Sequence, residues 1–165
     1  MGVYCALVVA MLVFIWGNSM LPGEISGELS GGLMQYIGKL FAVFGSAGEY
    51  VLRKLAHFSE YTALGFFLGG IFTAQGQKGI HRFTMPLLCG LFAACVDETI
   101  QIFAEARGSS LIDVWIDTSG VCFGLLVHEV LHRLRLKKQK EEDGIVSLRS
   151  QMGQNSQKEA VIASQ

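Results

Sequence analysis

The chain has 165 residues, about one domain's length. Only 16% of them are charged and 51% are hydrophobic, against about 25% charged in a soluble domain. The net charge is −1, which leaves no basic domain for nucleic acid and excludes it as a partner. Cys5, Cys89, Cys95 and Cys122 all lie in apolar runs without a CxxC pair. That excludes a disulfide or zinc framework and makes them buried, space-filling thiols.

In chain order, residues 3–18 are apolar through Trp16 and end at Gly17-Asn18-Ser19. With no basic n-region and no small-residue cleavage site, they predict an uncleaved first membrane span, short for the ~20 residues that cross a bilayer. Residues 18–49 carry turn signals at Pro22-Gly23, Ser26-Gly27 and Ser30-Gly31-Gly32. Within them, Leu33, Met34, Tyr36, Ile37, Leu40, Phe41 and Phe44 recur at helical spacing, which predicts a short interfacial amphipathic helix over 33–44.

A second span is expected over 50–74, a polar turn over 75–84, a third span over 85–104 with Pro86 in its first turn, and a fourth over 111–134. Few large apolar residues follow. The domain is therefore read as 1–137, with residues 138–165 as a disordered cytoplasmic tail. The fold class is all-α: a multi-pass protein with four transmembrane helices whose solvent is the lipid bilayer.

Basic residues orient it. Lys78 and Arg82 follow the second span, and Arg133, Arg135, Lys137, Lys138 and Lys140 follow the fourth. Placing both groups inside puts both termini in the cytoplasm at the cell membrane, and the 18–49 loop and the 105–110 turn outside. Most of the polar side chains then gather at the outer level. Arg53, Lys54, His57, Glu60 and Tyr61 begin the second span, and Asp97, Glu98 and Gln101 end the third. Arg107 lies in the joining turn, and Asp113 and Asp117 begin the fourth span. Each such group costs roughly 2.5–3.5 kcal/mol on insertion scales, so the cluster is a functional-site expectation.

Arg53, His57, Glu60 and Leu64 share one helical face, as do Asp97 with Gln101 and Asp113 with Asp117, Gly120, Gly124 and His128. Gly120 and Gly124 form a GxxxG pattern, which predicts a close helix–helix contact. Arg53, Lys54 and Arg107 face Glu60, Asp97, Glu98, Asp113 and Asp117, leaving a surplus of negative charge with His57 neutral. Three readings stay open. The charges lock helix register. Or Arg53, Lys54 and Arg107 hold the phosphate or carboxylate of an anionic lipid or cell-wall precursor, with no cofactor. Or a divalent metal sits on His57, Glu60, Asp97 and Glu98 and activates water for hydrolysis. No GxSxG or Cys–His nucleophile pattern is present. His81, His128 and His132 read as turn or interface residues rather than ligands. The oligomeric state is not readable from these patterns.

The motifs Arg53-Lys54-x-x-His57-Phe58-x-Glu60-Tyr61-x-x-Leu64-Gly65, Asp97-Glu98-x-x-Gln101-x-Phe103, Arg107 and Asp113-Val114-x-x-Asp117-x-x-Gly120-x-x-x-Gly124 resemble the VanZ-like family of small membrane proteins. The resemblance spans about residues 5–135 and departs at Asp117, where the family usually has Asn. It implies four membrane helices, a place in the cell envelope and no assigned biochemical activity. The family's namesake is associated with resistance to the antibiotic teicoplanin, which acts on cell-wall precursors outside the membrane.

Overall fold

The computed structural model describes residues 1–20, 45–103 and 110–163. These form four α-helices and no strand: α1 (Gly2–Met20), α2 (Gly45–Ala74), α3 (His81–Phe103) and α4 (Leu111–Ala163). The expected amphipathic helix at 33–44 and the residue Arg107 lie outside the described residues.

Local sequence accounts for the helix ends. After α2, the Gly76 N–H donates to the Thr73 carbonyl and the Gln77 N–H to that of Phe72, with Gly76 at φ 72°. This pair of bonds closes the orphan carbonyls of a helix end and requires a left-handed residue, which glycine supplies without a Cβ clash. At the start of α4, Ser110 is the N-cap. Its Oγ accepts from the Ile112 N–H at 3.2 Å, and its carbonyl accepts from the Asp113 N–H at 2.9 Å.

α3 begins at His81, about a turn earlier than Met85, so Pro86 lies inside the helix rather than in its first turn. The missing Pro86 N–H leaves the Arg82 carbonyl without its i+4 partner. Before it, the Phe83 and Thr84 amides both reach the Ile80 carbonyl, so the helix is under way before the proline enters it.

α2 meets the three other helices. Its buried stripe is Tyr61, Leu64 and Leu68, the i, i+3, i+7 spacing of one helix face. Ile15 and Val8 of α1, Ala93 and Ala94 of α3, and Val121 and Leu125 of α4 complete the core. Small residues set the spacing. A Cβ built on Gly120 would stand 2.6 Å from the Phe58 carbonyl oxygen, and one on Gly124 would strike the carbonyl of Thr62. The two glycines therefore let α4 lie backbone to backbone on α2.

The outside of this bundle is apolar. Phe92 is 68% exposed and Trp115 75%, with Val9, Val13, Leu88, Phe123 and Leu126 also exposed. A soluble monomer rarely shows so much apolar surface. Cys5, Cys89 and Cys95 are exposed too and Cys122 is half-buried. This corrects the expectation of buried thiols: small apolar side chains are as admissible on an apolar exterior as in a core. By length and composition three helices suit a membrane crossing, namely α1, α3 and α4 over Leu111–Arg149. α2 is not among them, because its first half carries Arg53, Lys54, His57 and Glu60.

The chain divides into two compact units at residue 128. The second begins at Glu129 and continues α4 to Ala163, where sequence composition suggests disorder from residue 138. The segment lacks the apolar residues of a core but is rich in Lys, Glu, Gln and Arg, which are good helix formers. Glu129 and Arg133, at 2.6 Å, and Lys138 and Glu142, at 3.8 Å, add i,i+4 pairs. Polarity argues against packing, not against helix.

Gly124→Leu forces a branched side chain into backbone. Its thermal unfolding in detergent should show a loss of about 1–3 kcal/mol or more, whereas Gly144→Ala, with open space at its Cβ, should leave the bundle's transition unchanged.

Candidate functional site

The polar residues converge where α2 begins, α3 ends and α4 begins. On α2 the inward line is Lys54, His57, Tyr61, Leu64 and Leu68, whereas Arg53 is exposed and Glu60 sits half-buried at the flank. The helix is thus rotated from the predicted Arg53–His57–Glu60–Leu64 face. The rotation follows from the glycine seam, which seats Phe58 and Thr62 on α4 and turns Tyr61 and Leu64 to the core.

Asp97, Glu98 and Gln101 of α3 are 0%, 5% and 6% exposed, and Asp117 of α4 is 1% exposed. Gln101 Nε2 donates to Asp97 Oδ2 at 2.9 Å. Glu98 Oε2 accepts the Ser110 N–H at 3.0 Å, so a carboxylate of α3 sits at the N-terminus of α4, where the helix dipole favours negative charge. Lys54 Nζ donates to Asp113 Oδ1, tying α2 to α4. Tyr61 OH donates to the Ala93 carbonyl at 3.3 Å, and Trp16 Nε1 to the same oxygen at 3.4 Å.

His57 Nδ1 lies 3.8 Å from both Asp97 Oδ2 and Asp117 Oδ1. Both distances exceed a hydrogen bond. Among the described residues, His57, Asp97 and Asp117 are the group of potential metal ligands whose donor atoms lie within 4.8 Å of one another. This differs from the His57, Glu60, Asp97 and Glu98 set read from helical spacing. Asp117 replaces the two glutamates because α4, brought close by Gly120, delivers it from a third helix. Among the described residues Asp117 Oδ2 and Glu98 Oε1 are buried without a hydrogen-bond partner, a costly state for a carboxylate. Lys54 is engaged by Asp113, and the carboxylates beside His57 are those of Asp97 and Asp117.

Ser110 is a site residue that the sequence reading passed over. Ser110-x-x-Asp113 before an apolar run is the signature that would have found it. His128, expected at a turn or interface, is buried at 9% exposure in an interface between helices. Its Nε2 is 3.2 Å from the Thr73 hydroxyl, which also accepts from Arg82 Nε at 3.2 Å.

Described residues whose regular structure is helical throughout, with an apolar exterior, three helices suited to crossing a membrane and carboxylates in the interior, are built as a membrane protein. A protein-family comparison identifies which one: the VanZ/LLP1 family model matches residues 3–132, and the chain belongs to that family. No curated protein and no solved structure matches it.

A double-mutant cycle of Lys54→Ala and Asp113→Ala should give a coupling of about 0.5–3 kcal/mol in unfolding free energy. Additive losses would remove the α2–α4 tie.

Proposed function

We propose that the chain is a multi-pass membrane protein whose polar centre faces outward and binds the polar head group of a cell-envelope amphiphile, an anionic lipid or a cell-wall precursor. All four helices cross the bilayer, α2 being tolerated because α1, α3 and α4 cover its polar face, and both termini are cytoplasmic. Arg53, Lys54 and Arg107 meet the phosphate. Glu60, Asp113 and the other carboxylates accept hydroxyls or amines of the head group.

One observation carries this reading. Lys54, His57, Asp97, Glu98, Gln101, Asp113 and Asp117 cluster where three helix ends meet, while the core below is Leu64, Leu68, Ala93, Ala94, Val121 and Leu125. Structural locking alone needs pairs. Asp117 keeps a buried oxygen without a hydrogen-bond partner among the described residues, a place for a hydroxyl or amine of a head group. A precursor as guest links the protein to resistance against teicoplanin-type antibiotics, because occupancy of the precursor and capture by the antibiotic exclude one another.

Native mass spectrometry of the detergent-purified chain should show a retained phosphorylated amphiphile that Glu98→Gln loses at least in part. Equal retention of bulk lipid by both proteins would sink the reading. In a cysteine-free background, Ser30→Cys and Ala106→Cys should react with an impermeant thiol reagent from outside intact cells. Labelling only after permeabilisation would invert the topology and remove the outward pocket.

A further inference from the structure

Two buried carboxylates and an imidazole from three different helices are the least explained feature of the bundle. Asp97 is 0% and Asp117 1% exposed, and Asp117 Oδ2 has no hydrogen-bond partner among the described residues. Two like charges at this separation in an apolar bundle repel, and desolvation adds to the cost. Lys54, the nearby cation on the inner face of α2, is taken by Asp113.

We propose that His57 Nδ1, one oxygen of Asp97 and one oxygen of Asp117 form a divalent-metal site. A dication balances the two carboxylates and gives the Asp117 carboxylate the partner that the described residues do not supply. The 3.8 Å separations from His57, too long for hydrogen bonds, suit two ligands facing one ion. With all three donor atoms within 4.8 Å of one another, an equidistant ion stands at most roughly 2.5 Å from each. That is a few tenths of an ångström beyond the roughly 2.0–2.2 Å of bound zinc, a gap that small side-chain movements close.

The donor set selects the ion. Imidazole suits zinc and the later transition metals, carboxylate oxygen suits manganese and magnesium, and one nitrogen with two oxygens favours zinc or manganese. Gln101 Nε2, donating to Asp97 Oδ2 at 2.9 Å, orients that ligand from the shell behind it. Three protein ligands leave a coordination position open, as in zinc sites that bind substrate. A phosphate oxygen is a hard donor that fits it, so the ion adds a contact to an anionic head group. Only this last step rests on the head-group reading. The metal site itself rests on the three side chains.

The test uses the full chain, purified in detergent, stripped with chelator and exposed to Zn²⁺ or Mn²⁺ alone. Elemental analysis should find about one ion per chain. Asp117→Asn should weaken binding by more than tenfold, and Gln101→Ala by about 10–100-fold. Binding weaker than about 100 µM by the wild type, or undiminished binding by a folded Asp117→Asn, overturns the site. Should Asp117→Asn fail to fold, pulsed electron paramagnetic resonance of Mn²⁺ on the wild type decides. Coupling to a histidine nitrogen, lost in His57→Gln, supports the site, and its absence overturns it. A chain that retains amphiphile but takes up no ion loses the metal and keeps the head-group reading. One that takes up the ion but retains no amphiphile does the reverse.

Discussion

The structure depends on the close approach of α4 to α2. At Gly120 and Gly124 the helices touch through backbone, against the carbonyls of Phe58 and Thr62. In a lipid solvent there is no hydrophobic force between helices, so packing and interhelical polar contacts must hold them. The seam provides the first, and it sets the distance over which the second can act. Asp117 lies just before Gly120 and His57 just before Phe58, so the same contact that packs the helices brings an aspartate to 3.8 Å from a histidine.

That placement explains why so much charge is tolerated inside an apolar bundle. Several polar groups at this level are answered from another part of the bundle: Lys54 by Asp113, Glu98 Oε2 by the Ser110 amide, Tyr61 by the Ala93 carbonyl. These contacts fix helix ends and rotation. They do not reach Asp117, which keeps a buried oxygen without a hydrogen-bond partner among the described residues. A protein under selection for stability alone can replace such a group with an apolar one at little cost. Asp117 is therefore the polar group in the described bundle that helix packing explains least.

The second polar cluster, His128 with Thr73 and Arg82, obeys the first of these rules. The Thr73 hydroxyl lies within 3.2 Å of both the His128 ring and Arg82, and the ring packs edge-on against Phe66 with centroids 5.2 Å apart. It reads as an interhelical clamp between α2, α3 and α4, the kind of contact that replaces hydrophobic driving force in a membrane.

Helical periodicity and apolar run length were enough to reveal the all-α class, the existence of α1 to α4 and the turn after α2, because each is a short-range property of neighbouring residues, and the polar motifs pointed to the family. Helix ends were less legible. α3 begins before Pro86 because the first turn already has its bonds to the Ile80 carbonyl, and α4 continues past residue 134 because polar residues are good helix formers. The membership of the polar centre was visible as misplaced charge at Lys54, His57, Asp97, Glu98 and Asp117. Its pairing was not. Spacing along one helix groups His57 with Glu60 and Asp97 with Gln101, but contact across helices groups His57 with Asp97 and Asp117. The sequence by itself determined which residues are costly to bury. Only the tertiary structure decided which of them meet, because rotation about a helix axis is set by the small residues on its neighbour, here Gly120 and Gly124, and no pattern within one helix records it.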